Sequence, residues 1–137
     1  MPRLAIAAIL ALAFPFANAH DDSQPSPHRL CETHADALLS ALGEAEYDAA
    51  TDDFDDALRA RYTPQKLKQD YEWLPSNYGN ALGRGRPHSA EINGHTVVMT
   101  PLIFEHGTIT VDVRCDGTGV VTDLRLLPTQ AMGQPQP

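Results

Sequence analysis

Helical periodicity in the first half of the chain, strand alternation in the second, and one cysteine in each half predict an α+β domain. The expected architecture is three helices packed on one face of a curved four-stranded antiparallel sheet, stapled by a disulfide. The period changes at His88: upstream, apolar residues recur every three or four positions, and downstream they alternate.

Residues 1–19, MPRLAIAAILALAFPFANA, precede this domain. Arg3 and the amino terminus supply a positive region, Leu4 to Phe14 an apolar run too short to span a bilayer, and Pro15 a break. Ala17-Asn18-Ala19 is a small-x-small site, so the segment predicts a secretory signal cleaved between Ala19 and His20. The mature chain is then secreted or periplasmic. Residues 20–28 are polar and read as a disordered linker, 29–128 as one domain, and 129–137 as a loose tail.

Ser26-Pro27 has the form of an N-cap followed by proline at the first helical position. Cys31, Ala35, Leu38 and Leu42 then share one face of a helix that stops at Gly43. A second helix is expected over about Tyr47–Arg61, burying Tyr47, Ala50, Phe54, Ala57 and Leu58, with Asp52, Asp53, Asp55 and Asp56 on its other faces. Thr63-Pro64 repeats the cap signal and opens a third helix carrying Leu67, Tyr71 and Leu74, with Trp73 at its end. Pro75–Pro87 reads as a loop.

Asn93-Gly94 is a two-residue hairpin signal, and His106-Gly107 and Asp116-Gly117 mark further tight turns. The strands between them are Ser89–Ile92, His95–Phe104, Thr108–Cys115 and Val120–Leu127. In the third, Ile109, Val111, Val113 and Cys115 face one side, and Thr108, Thr110, Asp112 and Arg114 the other. Pro101 lies inside the second strand, where it cannot serve a ladder on both sides, and predicts a bulge or an edge.

Cys31 falls on the apolar face of the first helix and Cys115 on that of the third strand, so both point into the helix–sheet interface. In an exported chain this predicts a Cys31–Cys115 disulfide, closing a loop of about 85 residues and worth about 4.5 kcal/mol in the chain-entropy model. Two cysteines without a Cys-x-x-Cys partner make a poor zinc site. Without Arg3 the chain carries 9 Lys+Arg against 18 Asp+Glu, a net of −9 that repels nucleic acid and anionic membrane surfaces. No apolar run after the signal is long enough for insertion into a membrane.

Gly43, Tyr47-Asp-Ala-Ala, Phe54-Asp-Asp-Ala-Leu58, Thr63-Pro64-Gln-Lys-Leu67, Trp73-Leu74 and Gly79 are followed by Phe104-Glu-x-Gly107, Asp116-Gly117 and Leu124-x-Leu126. In this order, over about Leu39–Pro128, they resemble the domain of unknown function 3887 family. That family is similar to the nuclear transport factor 2-like α+β cone, in which helices close over a curved sheet and leave a pocket. Members often precede an α/β-hydrolase domain, but this sequence has no Gly-x-Ser-x-Gly elbow. The resemblance implies a fold and transfers no catalytic residue.

Other motifs have plainer readings. Ala50, Phe54 and Ala57 match part of a tetratricopeptide helix, which needs several copies, and none follows. Gly83-Arg84-Gly85-Arg86-Pro87 resembles an AT-hook, but an exported acidic chain meets no DNA, so it reads as a solvated loop. The aspartates of residues 52–56 lack the glycine turn of a calcium loop. A mature amino-terminal His20 with one of His28, His34, His88, His95 or His106 has the ligands of a copper brace, but sits on a linker that would not preorganise it. No metal or cofactor is therefore expected.

Tyr47, Phe54, Tyr71, Trp73, Tyr78 and Met99 are the candidate lining of a ligand pocket in the cone. For catalysis the sequence offers no poised group: Asp112 alternates onto the wrong face, while His95 and Glu105 fall at strand ends. The sequence thus points to a non-catalytic binding module for a small apolar molecule or an envelope protein. A pocket enzyme of isomerase or hydrolase type is the alternative.

Overall fold

The computed structural model describes residues 24–129. The signal segment, its cleavage site at Ala19–His20 and the tail beyond residue 129 lie outside the described residues. Four helices precede five strands: α1 Pro27–Gly43, α2 Tyr47–Ala50, α3 Asp56–Arg61, α4 Pro64–Tyr78, β1 Ala81–Arg84, β2 His88–Ile92, β3 His95–Phe104, β4 Gly107–Cys115 and β5 Val121–Pro128.

The caps act as their residue types dictate. Ser26 Oγ accepts from the Arg29 amide at 3.2 Å, and Thr63 Oγ1 from the Lys66 amide at 3.2 Å, each with proline in the first turn. Because α1 begins at Pro27, residues 27 and 28 belong to the helix and not to a linker.

The expected second helix is broken into α2 and α3. Asp55 leaves the helical path to cap α3, its Oδ1 accepting from the Leu58 amide at 2.7 Å. The backbone on either side of Phe54 is taken by β5. The Asp55 amide donates to Val121 O at 2.9 Å, and the Val121 amide to Asp53 O at 3.1 Å, a parallel bridge. Aspartate favours caps over helix interiors, and the break rotates Ala57 from the expected buried stripe to solvent. The expected third helix continues through Pro75 to Tyr78, so Trp73 lies inside it. Gly79, at φ +80°, ends it, and its amide donates to Pro75 O at 3.0 Å.

The sheet has five antiparallel strands, not four: β1 forms within the expected Pro75–Pro87 loop. The order is β1-β3-β4-β5, with β2 also on β3. The two short strands share one edge of β3, β2 along His95–Met99 and β1 along Leu102–Phe104. Pro101 lies in the gap between them, and its carbonyl, facing that gap, accepts from the Gly85 amide at 2.8 Å. The missing proline N–H thus costs no ladder bond toward β4. A Cβ on Gly85 would lie 2.7 Å from the Pro101 ring, so glycine permits this crossing. Asn93 and Gly94, at φ +52° and +77°, make the predicted two-residue hairpin turn.

Residues 98, 102, 104, 109, 111, 113, 115, 121 and 124 face the helices and join Cys31, Leu38, Leu42, Leu58, Leu67 and Leu74 in one core. Cys31 and Cys115 are both fully buried and bonded, with Cα atoms 5.9 Å apart. The β4–β5 turn is drawn onto α1 by His34, whose Nδ1 donates to Gly119 O at 2.8 Å.

Candidate functional site

α4 separates a groove on its β5 side from a cleft between α1 and β1. The groove on the β5 side holds about 540 Å³. Its walls are Tyr62, Asp70, Trp73 and Leu74 from the helical side, with Ile109 and residues 124–128 from the sheet. Trp73 is 54% exposed and Leu127 41%, so the rim itself is apolar. The phenol and the carboxylate of this groove are already engaged. The Tyr62 hydroxyl donates to Asp70 Oδ2 at 2.7 Å, and Lys66 Nζ reaches Asp70 at 3.0 Å. Burial, then the Asp70 hydrogen bond and charge, push the Tyr62 phenol far above its usual range, so it stays a donor. Arg125 Nε donates to Asp123 Oδ2 at 3.0 Å, and Arg61 Nη2 to Asp123 Oδ1 at 3.1 Å. Burial pushes the Asp123 carboxyl up, but the hydrogen bonds from Arg61 and Arg125 outweigh it and hold it below the ordinary range. What the groove offers a ligand is leucine, isoleucine and indole surface.

On the other side, α1 faces β1 across a cleft of two hollows, about 330 and 420 Å³, with Leu39 and Arg84 common to both. Tyr71 and Phe104 line the smaller one. A further polar hollow of about 550 Å³ lies between α2 and α4, lined by Tyr47, Pro64, Lys68 and Glu72.

The six residues singled out as pocket lining do not share a cavity. Trp73 lines the α4–β5 groove, Tyr71 the α1–β1 cleft, and Tyr47 the polar hollow. Tyr78 is half-buried between the first two, its ring centroid 6.0 Å from Trp73 and 6.2 Å from Phe104. Phe54 is a core residue beside Val121. Met99, opposite Asp112 and His88, is on the sheet face turned away from the helices. The sequence reading missed Ile109, Leu124, Leu126 and Leu127 as groove lining and Arg84 as cleft lining. The consecutive Leu126-Leu127, which breaks strand alternation, was the available signal for the groove.

Two side-chain atoms, His95 Nδ1 and Asp112 Oδ1, are buried with no hydrogen-bond partner among the described residues. Burial raises the Asp112 carboxyl, and the charges of Arg125 and Arg114 only partly offset it. His95 is four residues from Asp112's partner Met99 along β3, about 13 Å at strand rise, so the two form no acid–base pair. Among the described residues no group of three His, Cys, Asp or Glu side chains is arranged to hold a metal ion, and no helix is long and apolar enough to cross a membrane.

Comparison with known protein families, with curated proteins and with solved structures finds no match.

Proposed function

We propose that this chain is an exported, non-catalytic binding module that takes a small apolar ligand in the groove between α4 and β5. One observation carries the reading: an indole more than half exposed stands over a groove walled by leucine and isoleucine, in which Tyr62 and Asp70 are hydrogen-bonded to each other. Exposing a large aromatic costs solvation free energy that a ligand recovers, and the apolar walls offer that ligand further contacts. The signal-like residues 1–19 support a secreted or periplasmic site of action. In the same proposal the helices close over a curved sheet as a cone, in keeping with the resemblance to the domain of unknown function 3887 family.

A second reading uses the same surface. Trp73 and Leu127 form an exposed apolar rim, which is the kind of surface an envelope protein would cover. The test separates the two. An uncharged apolar fluorophore, N-phenyl-1-naphthylamine, should brighten on binding the mature protein, quench its single tryptophan and raise its melting temperature. Trp73→Ala should weaken this binding by about tenfold or more while lowering stability by roughly 1 kcal/mol, because half the ring is already in water. No binding, or equal binding by Trp73→Ala, overturns the small-ligand reading and leaves the protein-partner reading in its place.

A further inference from the structure

We propose that the cleft between α1 and β1 is a second binding site, for a monomeric amphiphile carrying a single carboxylate, with Arg84 as its anchor. The cleft shares no lining residue with the α4–β5 groove. Arg84 belongs to the Gly83-Arg84-Gly85-Arg86-Pro87 segment and ends β1. Its side chain leaves the short strand β1 and reaches α1, dividing the cleft in two. Nη1 lies 3.2 Å from Asp36 Oδ1, and Nη2 donates to Ser40 Oγ at 3.5 Å.

The guanidinium therefore already holds a carboxylate in the cleft, but loosely. Asp36 offers it one oxygen, and its side chain is 75% exposed. Such surface pairs contribute little and exchange readily with solvent. A guanidinium presents a planar fork of donors that fits both oxygens of a carboxylate, and a free ligand can take that geometry where the tethered Asp36 does not. Two hydroxyls complete the anchor. Ser40 is within reach of Arg84, and the half-buried Tyr71 phenol has no hydrogen bond among the described residues. Burial raises the phenol's pKa, so it remains an O–H donor; Arg84 acts against that rise through its charge, being its electrostatic neighbour.

Beyond these donors the smaller hollow is apolar, walled by Leu39, Leu102, Phe104 and the Tyr71 ring, and accommodates a hydrocarbon tail. Gly43 and Gly83 also line it, and a Cβ added at either would meet nothing within 4 Å, so both face open space. The acidic residues fix the ligand's charge. Glu44 lines the same hollow, and Glu32 and Asp36 the adjoining one, so one negative charge is matched by Arg84 and a second is repelled.

The test is calorimetric titration of the mature protein with octanoate below its micelle concentration, beside octanol and octyl phosphate. Octanoate should bind, and octanol and octyl phosphate should bind about tenfold or more weakly. Arg84→Gln should weaken octanoate by about the same factor. Gly43→Trp should block it sterically, since residue 43 ends α1 without a left-handed backbone and faces open space. Asp36→Asn should tighten binding several-fold by removing the internal competitor, a gain that a merely structural Arg84–Asp36 pair would not produce. Octanoate should bind equally when the α4–β5 groove is saturated with N-phenyl-1-naphthylamine, which separates this site from that groove. Absent binding, equal binding of octanol, unchanged affinity in Arg84→Gln or Gly43→Trp, or binding seen only with micelles or fatty-acid vesicles overturns the assignment.

Discussion

Reducing the Cys31–Cys115 bond should remove a large contribution to the stability of this domain. The two residues are 84 positions apart, so the bond closes most of the domain into one loop. In the chain-entropy model a loop of that length withdraws about 15 cal/mol/K from the unfolded ensemble, or about 4.6 kcal/mol at 25 °C. Domains of this size are stable by roughly 5–15 kcal/mol, so reduction brings the chain close to the edge of folding. Both sulfurs are fully buried between α1 and β4, and reduction keeps them there, whereas Cys31→Ala with Cys115→Ala would add a cavity cost. The assay is urea unfolding of the mature protein with and without reductant. The midpoint should fall by an amount equivalent to about 4–5 kcal/mol, and the denaturant slope should rise, because the reduced unfolded chain exposes more surface. Denatured, unreduced protein should show no reactive thiol. A loss below about 1 kcal/mol with an unchanged slope would refute the argument that the bond acts by constraining the unfolded chain.

Further outcomes follow from local geometry. Gly119→Ala should cost about 1–3 kcal/mol in urea unfolding, since residue 119 sits at φ +87° and a Cβ there would lie 2.8 Å from Leu30 Cδ2. Leu67→Ala, in a fully buried position of α4, should cost about 2–5 kcal/mol by the same measurement. Asp112 has a raised folded-state pKa, so its contribution is full below the unfolded carboxylate pKa and is lost as pH rises through the folded value. Asp112→Asn should therefore raise the melting temperature at pH 7, leave it little changed at the acid end, and flatten the profile between the two.

The features legible in the sequence were those set by neighbours in the chain. Ser26-Pro27 and Thr63-Pro64 fixed two helix starts, Asn93-Gly94 a hairpin, and the alternation from Ile109 to Cys115 a buried strand face from which the disulfide could be read. The misreadings arose where distant residues decide. Ala50, Phe54 and Ala57 keep helical spacing, but Val121, far along the chain, takes the backbone around Phe54 for the sheet. β1 was hidden because all four of its residues are exposed and no alternation marks it. Met99 was misassigned because β3 is apolar on both faces, so composition does not say which face meets the helices. The candidate groove is a product of packing: residues of β5 and α4 that share no local pattern meet only when α4 crosses the sheet.

The central claim is a ligand in the α4–β5 groove, and methyl-resolved NMR of the mature protein titrated with N-phenyl-1-naphthylamine tests it most directly. The predicted result is shifts concentrated on the methyls of Leu74, Ile109, Leu124, Leu126 and Leu127 and on the Trp73 indole N–H, with the Leu38 and Leu42 methyls of α1 unmoved. Saturating probe that leaves the groove methyls in place, or shifts confined to other surfaces, would contradict it.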